Sequence, residues 1–225
     1  MNNDLPPRPS SDHDTVVVLA GGDPPPAWVS GELPEKVFVI AADSGLHHAS
    51  RLGLRVDVVI GDLDSVEAEV LTRHAEARIV SHSPQKDRTD LELALEAALS
   101  LDPTRVIVVG GSGGRLDHLL ANAALLAAEK FAQVDMMWMA AGSAVHVVRA
   151  ALEIHGSQGD TVSLLALGGQ VSGVTTRGLQ WALVDATLEF GTTWGVSNRM
   201  TGPVARVQVR QGMLLVVHTP IDLPG

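Results

Sequence analysis

Six short runs of β-branched and aliphatic residues, each closed by glycine or aspartate and followed by a stretch of helical spacing, constrain this chain more than any other feature. They are Thr15–Ala20, Lys36–Ala42, Val56–Ile60, Ala77–Ser81, Arg105–Val109 and Val134–Met139. Their nearly unbroken apolar character is that of strands buried on both faces of a parallel sheet. Two of the intervening helices are sharply marked. Thr89 with Glu92 makes a capping-box pattern ahead of Leu91, Ala94, Leu95, Ala98 and Leu99. A second helix is expected from about Leu116 to Lys130, with Leu119, Leu120, Ala123 and Ala127 on its buried stripe.

After about Gly142 the helical period disappears. Strand candidates follow at Ala144–Val148, Thr161–Leu167, Val171–Thr176, Ala182–Phe190, Val204–Val209 and Met213–Thr219, with Gln211-Gly212 reading as a hairpin turn. The expected fold class is therefore α/β plus all-β: a doubly wound, mostly parallel α/β domain over 14–142, then an antiparallel β-sandwich over 143–222. Residues 1–13, polar and proline-rich, read as a disordered lead.

Composition narrows the function classes. Twenty-six acidic against sixteen basic residues leave a formal charge of −10, the wrong sign for a broad nucleic-acid surface. Cysteine is absent, which excludes disulfides and thiolate metal sites. The nine histidines are scattered, with no pair at metal-binding spacing. No apolar run approaches the ~20 residues of a membrane span, and the N-terminus shows neither a basic nor an apolar signal region. A cytoplasmic location is the expectation.

The unusual residues gather where an α/β sheet binds its ligands, beyond the carboxyl ends of the strands. They are Asp43-Ser44-Gly45, Gly61-Asp62-Leu63-Asp64-Ser65, Gln85-Lys86-Asp87-Arg88-Thr89-Asp90 and Gly110-Gly111-Ser112-Gly113-Gly114-Arg115-Leu116-Asp117-His118. Aspartate at a helix start also serves as a cap. Yet like charges repel by roughly 1 kcal/mol at 4 Å even in water, so a rim of Asp43, Asp62, Asp64, Asp87, Asp90 and Asp117 calls for a cation. Oxygen donors without sulfur suit Mg²⁺ shared with substrate phosphates. The glycine-rich loop offers backbone N–H groups to an anion, although it is neither a Walker A loop nor a dinucleotide fingerprint. Lys86 and Arg115 are the cationic partners a phosphate would use. Asp62-Leu63-Asp64-Ser65-Val66 is also similar to the nucleophile motif of haloacid-dehalogenase phosphatases, but here it follows the third strand rather than the first.

Together with Gly159-Asp160-Thr161-Val162-Ser163-Leu164, Thr175-Thr176-Arg177-Gly178-Leu179-Gln180-Trp181 and Gly195-Val196-Ser197-Asn198, these stretches resemble the thiamine pyrophosphokinase family from about residue 15 to 219. The resemblance implies an N-terminal domain that binds Mg-ATP, a C-terminal sandwich that helps bind thiamine, and a homodimer whose sites are completed by the partner subunit. By the same matching Asp62, Asp64 and Asp90 would hold Mg²⁺. Asp43, Gln85, Asp87, Thr89, Arg115 and Asp117 would surround the phosphates and the reacting hydroxyl, with Lys86, Gly113 and Gly114 at the ATP. Trp181, Ser197 and Asn198 would contact thiamine. Many members of that family carry two glycines after the first aspartate, where this chain has Ser44 and then Gly45. Two other readings stand beside this one: a Mg²⁺-dependent phosphatase with Asp62 as covalent nucleophile, and a non-catalytic thiamine- or nucleotide-binding module. Trp138, within Met136-Met137-Trp138-Met139, is expected in the core.

Overall fold

A computed structural model describes residues 14–63, 66–82 and 87–221. The expected lead at 1–13, together with Asp64, Ser65, Gln85 and Lys86, lies outside the described residues. The chain divides into two compact units. One runs to Leu125 and resumes for Gln133–Ala141; the other takes Leu126–Ala132 and the chain from Gly142.

The first unit is built in chain order from β1 (Thr15–Ala20), α1 (Val29–Glu32), β2 (Phe38–Ala42), a 3₁₀ turn (Asp43–Gly45), α2 (Leu46–Leu52), β3 (Val58–Gly61), α3 (Ala68–Arg73), β4 (Arg78–Ser81), α4 (Asp90–Leu99), β5 (Arg105–Gly110), α5 (Leu116–Leu126) and β6 (Asp135–Ala140). Its strands lie in the order β6-β5-β1-β2-β3-β4. Every pairing among them is parallel. β1, β2, β3 and β5 are buried almost end to end, as expected for central parallel strands. β4 departs from that expectation. It is the outermost strand and leaves Arg78, Ile79 and Ser81 exposed.

The helices show what periodicity sees and what it misses. Thr89 caps α4, its Oγ1 accepting from the Glu92 N–H at 3.2 Å, and Leu91, Leu93, Ala94, Leu95 and Ala98 are buried. α5 stops at Leu126 instead of running to Lys130, and a 3₁₀ turn follows at Glu129–Phe131. Its phase also differs from expectation: Asn122 and Leu126 are buried, whereas Leu120 is 63% exposed. A run of leucines and alanines allows two stripes one position apart, and spacing alone does not choose between them. The stretch beyond α5 belongs to the second unit, where Arg149 Nη2 donates to the carbonyls of Ala127 and Ala128.

The second unit holds β7 (Ser143–Val148), β8 (Ala151–His155), β9 (Thr161–Ala166), β10 (Val171–Arg177), β11 (Ala186–Leu188), β12 (Asn198–Arg199), β13 (Val204–Gln208) and β14 (Leu214–Thr219). Four of them run β12-β9-β14-β7 and four run β11-β10-β13-β8. The strand pairings within each set are antiparallel. Val162, Leu164, Leu214 and Val216 from one sheet meet Ile154, Val174, Ala205 and Val207 from the other in a single apolar core, which makes the unit a β-sandwich. Gln211-Gly212 is not a hairpin turn, because β13 pairs with β8 and β10 while β14 pairs with β7 and β9. It carries the chain from one sheet to the other. The strand expected over Ala182–Phe190 shrinks to Ala186–Leu188, since Leu183 instead exchanges bonds with Thr176 and Asp185 turns at φ +48°. β8 and β12 had no sequence expectation.

Candidate active site

The carboxyl ends of β1, β2 and β5 open into a cavity of about 340 Å³, lined by Gly21, Gly22, Asp43, Ser44, Thr89, Asp90, Gly111, Ser112, Gly113 and Arg115, among others. Two glycine-rich turns form its floor and are locked together. The Gly111 N–H donates to Gly21 O at 2.6 Å and the Asp23 N–H donates to Ser112 O at 2.7 Å. Behind the loop, Asn122 Nδ2 donates to Gly111 O at 2.9 Å, Trp138 Nε1 donates to Gly110 O at 2.7 Å, and Ser112 Oγ accepts from the Ala141 N–H. Trp138 is thus the core residue expected, 5% exposed, and its one polar atom braces the loop.

Glycine is required here by contact as well as conformation. At Gly110, with φ +89°, an added Cβ would lie 2.3 Å from Ala20 O and about 3.1 Å from the His48 ring. His48 is buried beneath that point, and its pKa is lowered by burial first, then by His47 and Arg51. It therefore stays neutral and presses an uncharged ring against the loop.

Asp43 begins the 3₁₀ turn after β2 in the left-handed region, φ +45°, an uncommon and costly conformation for a non-glycine residue. Ser44 is accommodated because Gly21 has no side chain. A Cβ on Gly21 would sit 2.2 Å from Ser44 Oγ. Gly61, the last residue of β3, packs on Asp43, a Cβ there falling 3.1 Å from Asp43 Cβ. Asp62 follows Gly61 directly, with Leu63 next at φ +62°.

Of the residues expected at this site, Asp43, Thr89, Asp90, Gly113 and Arg115 line one cavity. Gly114 follows in open space, with no atom within 4 Å of an added Cβ. Asp87 is exposed. Arg115 and Asp117 are engaged with each other: Arg115 Nε donates to Asp117 Oδ1 at 3.1 Å and Nη2 to Oδ2 at 2.5 Å. That bond, first among its causes, lowers the Asp117 pKa and raises that of Arg115. Asp64, Gln85 and Lys86 lie outside the described residues. Among the described residues no three acidic or histidine side chains form a group able to hold a metal ion. The donor chemistry nonetheless fits a hard cation: the carboxylates at this end of the sheet offer oxygen only, and Asp43 and Asp90 border the same cavity.

A second cavity, of about 370 Å³, lies within the sandwich unit and is lined by Trp181, Leu183, Thr193, Trp194, Val196 and Asn198, with Ala182 and Gly195. Trp181 is 56% exposed. Asn198 is buried and its carboxamide holds the main chain of Trp181: Oδ1 accepts from the Trp181 N–H at 3.1 Å and Nδ2 donates to Trp181 O at 2.7 Å. Ser197 is exposed at φ +61°, its N–H donating to Ser163 Oγ at 3.0 Å.

Sequence reasoning missed several of these residues. Gly21 and Gly22, directly after β1, were signalled by their place in the first strand-to-helix turn. His48, Asn122 and Trp194 carried no such signal.

Comparison with known proteins agrees with this geometry. Residues 31–138 match the family model described as thiamin pyrophosphokinase, catalytic domain, and residues 146–214 match that of the vitamin B1 binding domain. The chain is 24% identical to the thiamine pyrophosphokinase of Bacillus subtilis strain 168 over 214 residues, 91% of this chain and 98% of the relative. It is 26% identical to thiamine pyrophosphokinase 1 of Oryza sativa subsp. japonica over 170 residues, covering 70% of this chain but only 64% of that longer relative. The crystal structure of the Bacillus subtilis thiamine pyrophosphokinase superposes with a TM-score of 0.81 at 22% identity, over 92% of this chain and all of that one. The structure of thiamin pyrophosphokinase from Candida albicans gives 0.71 at 15% identity, over 92% and 89%.

Proposed function

The chain belongs to the thiamin pyrophosphokinase family, and from that membership we propose that it transfers pyrophosphate from ATP to the hydroxyl of thiamine, yielding thiamine diphosphate and AMP. The observation that carries the proposal is the cavity at the ends of β1, β2 and β5, where locked glycine turns, Thr89, Arg115 and the carboxylates Asp43 and Asp90 face one space. In this reading the first unit is the Mg-ATP-binding catalytic domain and the sandwich is the thiamine-binding domain.

The thiamine hydroxyl oxygen attacks the β-phosphorus. A new P–O bond forms, and the bond from β-phosphorus to the oxygen bridging to the α-phosphate breaks, that oxygen leaving with AMP. Little covalent work falls to the protein, so positioning and charge neutralisation dominate. The backbone N–H groups of the glycine-rich loop and Arg115 bind phosphate oxygens. Asp62, Asp64 and Asp90 would hold Mg²⁺, which supplies charge neutralisation to the triphosphate. Among Asp43, Asp87 and Asp117, Asp43 is best supported as acceptor of the hydroxyl proton. It borders the cavity, whereas Asp87 and Asp117 are exposed and do not line it. Trp181, Ser197 and Asn198 serve the thiamine side. A homodimer with shared sites and a cytoplasmic location complete the proposal. No helix among the described residues is long and apolar enough to cross a membrane.

The decisive experiment incubates the purified chain with thiamine, Mg²⁺ and ATP and identifies products by mass. Thiamine diphosphate with AMP is expected. Thiamine monophosphate with ADP, or inorganic phosphate released without thiamine, overturns the proposal. Asp62→Asn should lower AMP release at least about a hundredfold if Asp62 helps neutralise the triphosphate. Near-native turnover would remove Asp62 from the metal site.

A further inference from the structure

We infer that Trp194 is a second aromatic wall of the thiamine cavity, and that Trp181 and Trp194 together select a flat cationic ring over a neutral ring of the same shape. The inference rests on the reading that the sandwich unit takes thiamine.

Four observations carry it. Trp194 is 55% exposed, nearly the same as Trp181 at 56%, and both line one cavity of about 370 Å³, a size within the usual range for small-molecule sites. Two half-exposed indoles on one cavity are costly to leave facing water, whereas the chain's core tryptophan, Trp138, is buried.

Both walls are held from behind. Asn198 clamps Trp181. The turn carrying Trp194 is tied down by the Leu164 N–H donating to Gly195 O at 2.9 Å and the Ser197 N–H donating to Ser163 Oγ at 3.0 Å. Only glycine fits at 195, where φ is +113° and a Cβ would approach Leu164 O to 2.9 Å. The turn is closed within itself by the Val196 N–H on Thr193 O and the Trp194 N–H on Thr192 Oγ1. Aromatic walls set on a fixed backbone bind a flat ligand with little ordering cost.

Charge decides the ligand class. None of the described residues lining this cavity is acidic or basic. A fixed positive charge on the ligand is then met by the indole faces, which stack on any flat ring but whose quadrupoles add an attraction only for the cationic one.

Calorimetric titration of the whole protein with thiamine, and with an isostere whose thiazolium is replaced by neutral thiophene, tests this. Trp194→Ala should weaken thiamine binding about fivefold and shrink the preference for thiamine over the isostere, while Trp194→Phe restores most of both. Unchanged thiamine affinity in Trp194→Ala, alongside a loss in Trp181→Ala, overturns the inference and leaves the functional reading intact. Absence of thiamine binding by the unaltered protein defeats the functional reading itself, and the inference with it. A Trp194→Ala protein whose gel-filtration volume shifts, with thiamine affinity restored at high protein concentration, assigns Trp194 to a subunit contact and also overturns it.

Discussion

Asn198 and Trp181 are joined by two hydrogen bonds that together mimic a β-bridge, the carboxamide of one closing on the amide and carbonyl of the other at 3.1 and 2.7 Å. Asn198 Oδ1 also accepts from the Arg199 N–H at 2.8 Å. Asn198 thus holds the main chain of Trp181 while itself lining the same cavity.

Asn198→Asp keeps the acceptor and replaces the donor with a carboxylate oxygen facing Trp181 O. Stability should fall by about 1–3 kcal/mol. The thiamine KM should rise while the ATP KM stays near its original value. Thermal unfolding and steady-state kinetics with each substrate varied in turn check this.

Gly110 and Gly114 predict opposite outcomes within one loop. Gly110→Ala would drive a Cβ against Ala20 O at φ +89°, and a cost of at least about 2 kcal/mol is expected. Gly114→Ala, at φ +67° with nothing within 4 Å, should cost only about 1 kcal/mol. Urea unfolding of both variants distinguishes contact from conformation.

Arg115 is preset by Asp117 as a planar fork. Arg115→Lys retains charge but loses the two-pronged geometry, so it should recover little of the roughly tenfold rise in ATP KM expected for Arg115→Ala. Full recovery by lysine would mean that charge alone matters there. The measurement is ATP KM at fixed thiamine.

Asp160 supplies a pH signature in the sandwich. It is 2% exposed; His218 Nε2 donates to its Oδ2 at 2.9 Å, and the Ser157 and Ile221 N–H groups donate to the same carboxylate. Burial pushes its pKa up, but those donors together outweigh burial and hold it below the usual value. A carboxylate with a depressed folded pKa stabilises fully above its unfolded value of about 3.9, and that contribution is lost as pH falls through the folded pKa. Denaturation midpoints should therefore drop below about pH 4 in the unaltered protein, and Asp160→Asn should be less stable at neutral pH and flatter across the acid range.

The parallel sheet was legible because central strands buried on both faces have to be continuously apolar, as β1, β2, β3 and β5 are. The site's chemistry was legible for a related reason: Asp43, Asp90, Gly113 and Arg115 follow strand ends or helix starts, which an α/β fold gathers on one edge. β4 was misread because an edge strand pairs on one side and tolerates exposure. Leu120 was misread because two leucine stripes differ by a single position. Gln211-Gly212 has the residues of a hairpin, but which strands a turn joins depends on partners far away in the chain.

The sequence by itself determined the order of elements, the change from α/β to all-β, and the residue types offered to a phosphate and a metal, since these follow from local periodicity and chemistry. Tertiary structure alone decided that His48 and Trp138 would brace the glycine loop and that Asn198 would hold Trp181. Each of these depends on which groups lose water together when distant segments meet, and no spacing along the chain encodes that.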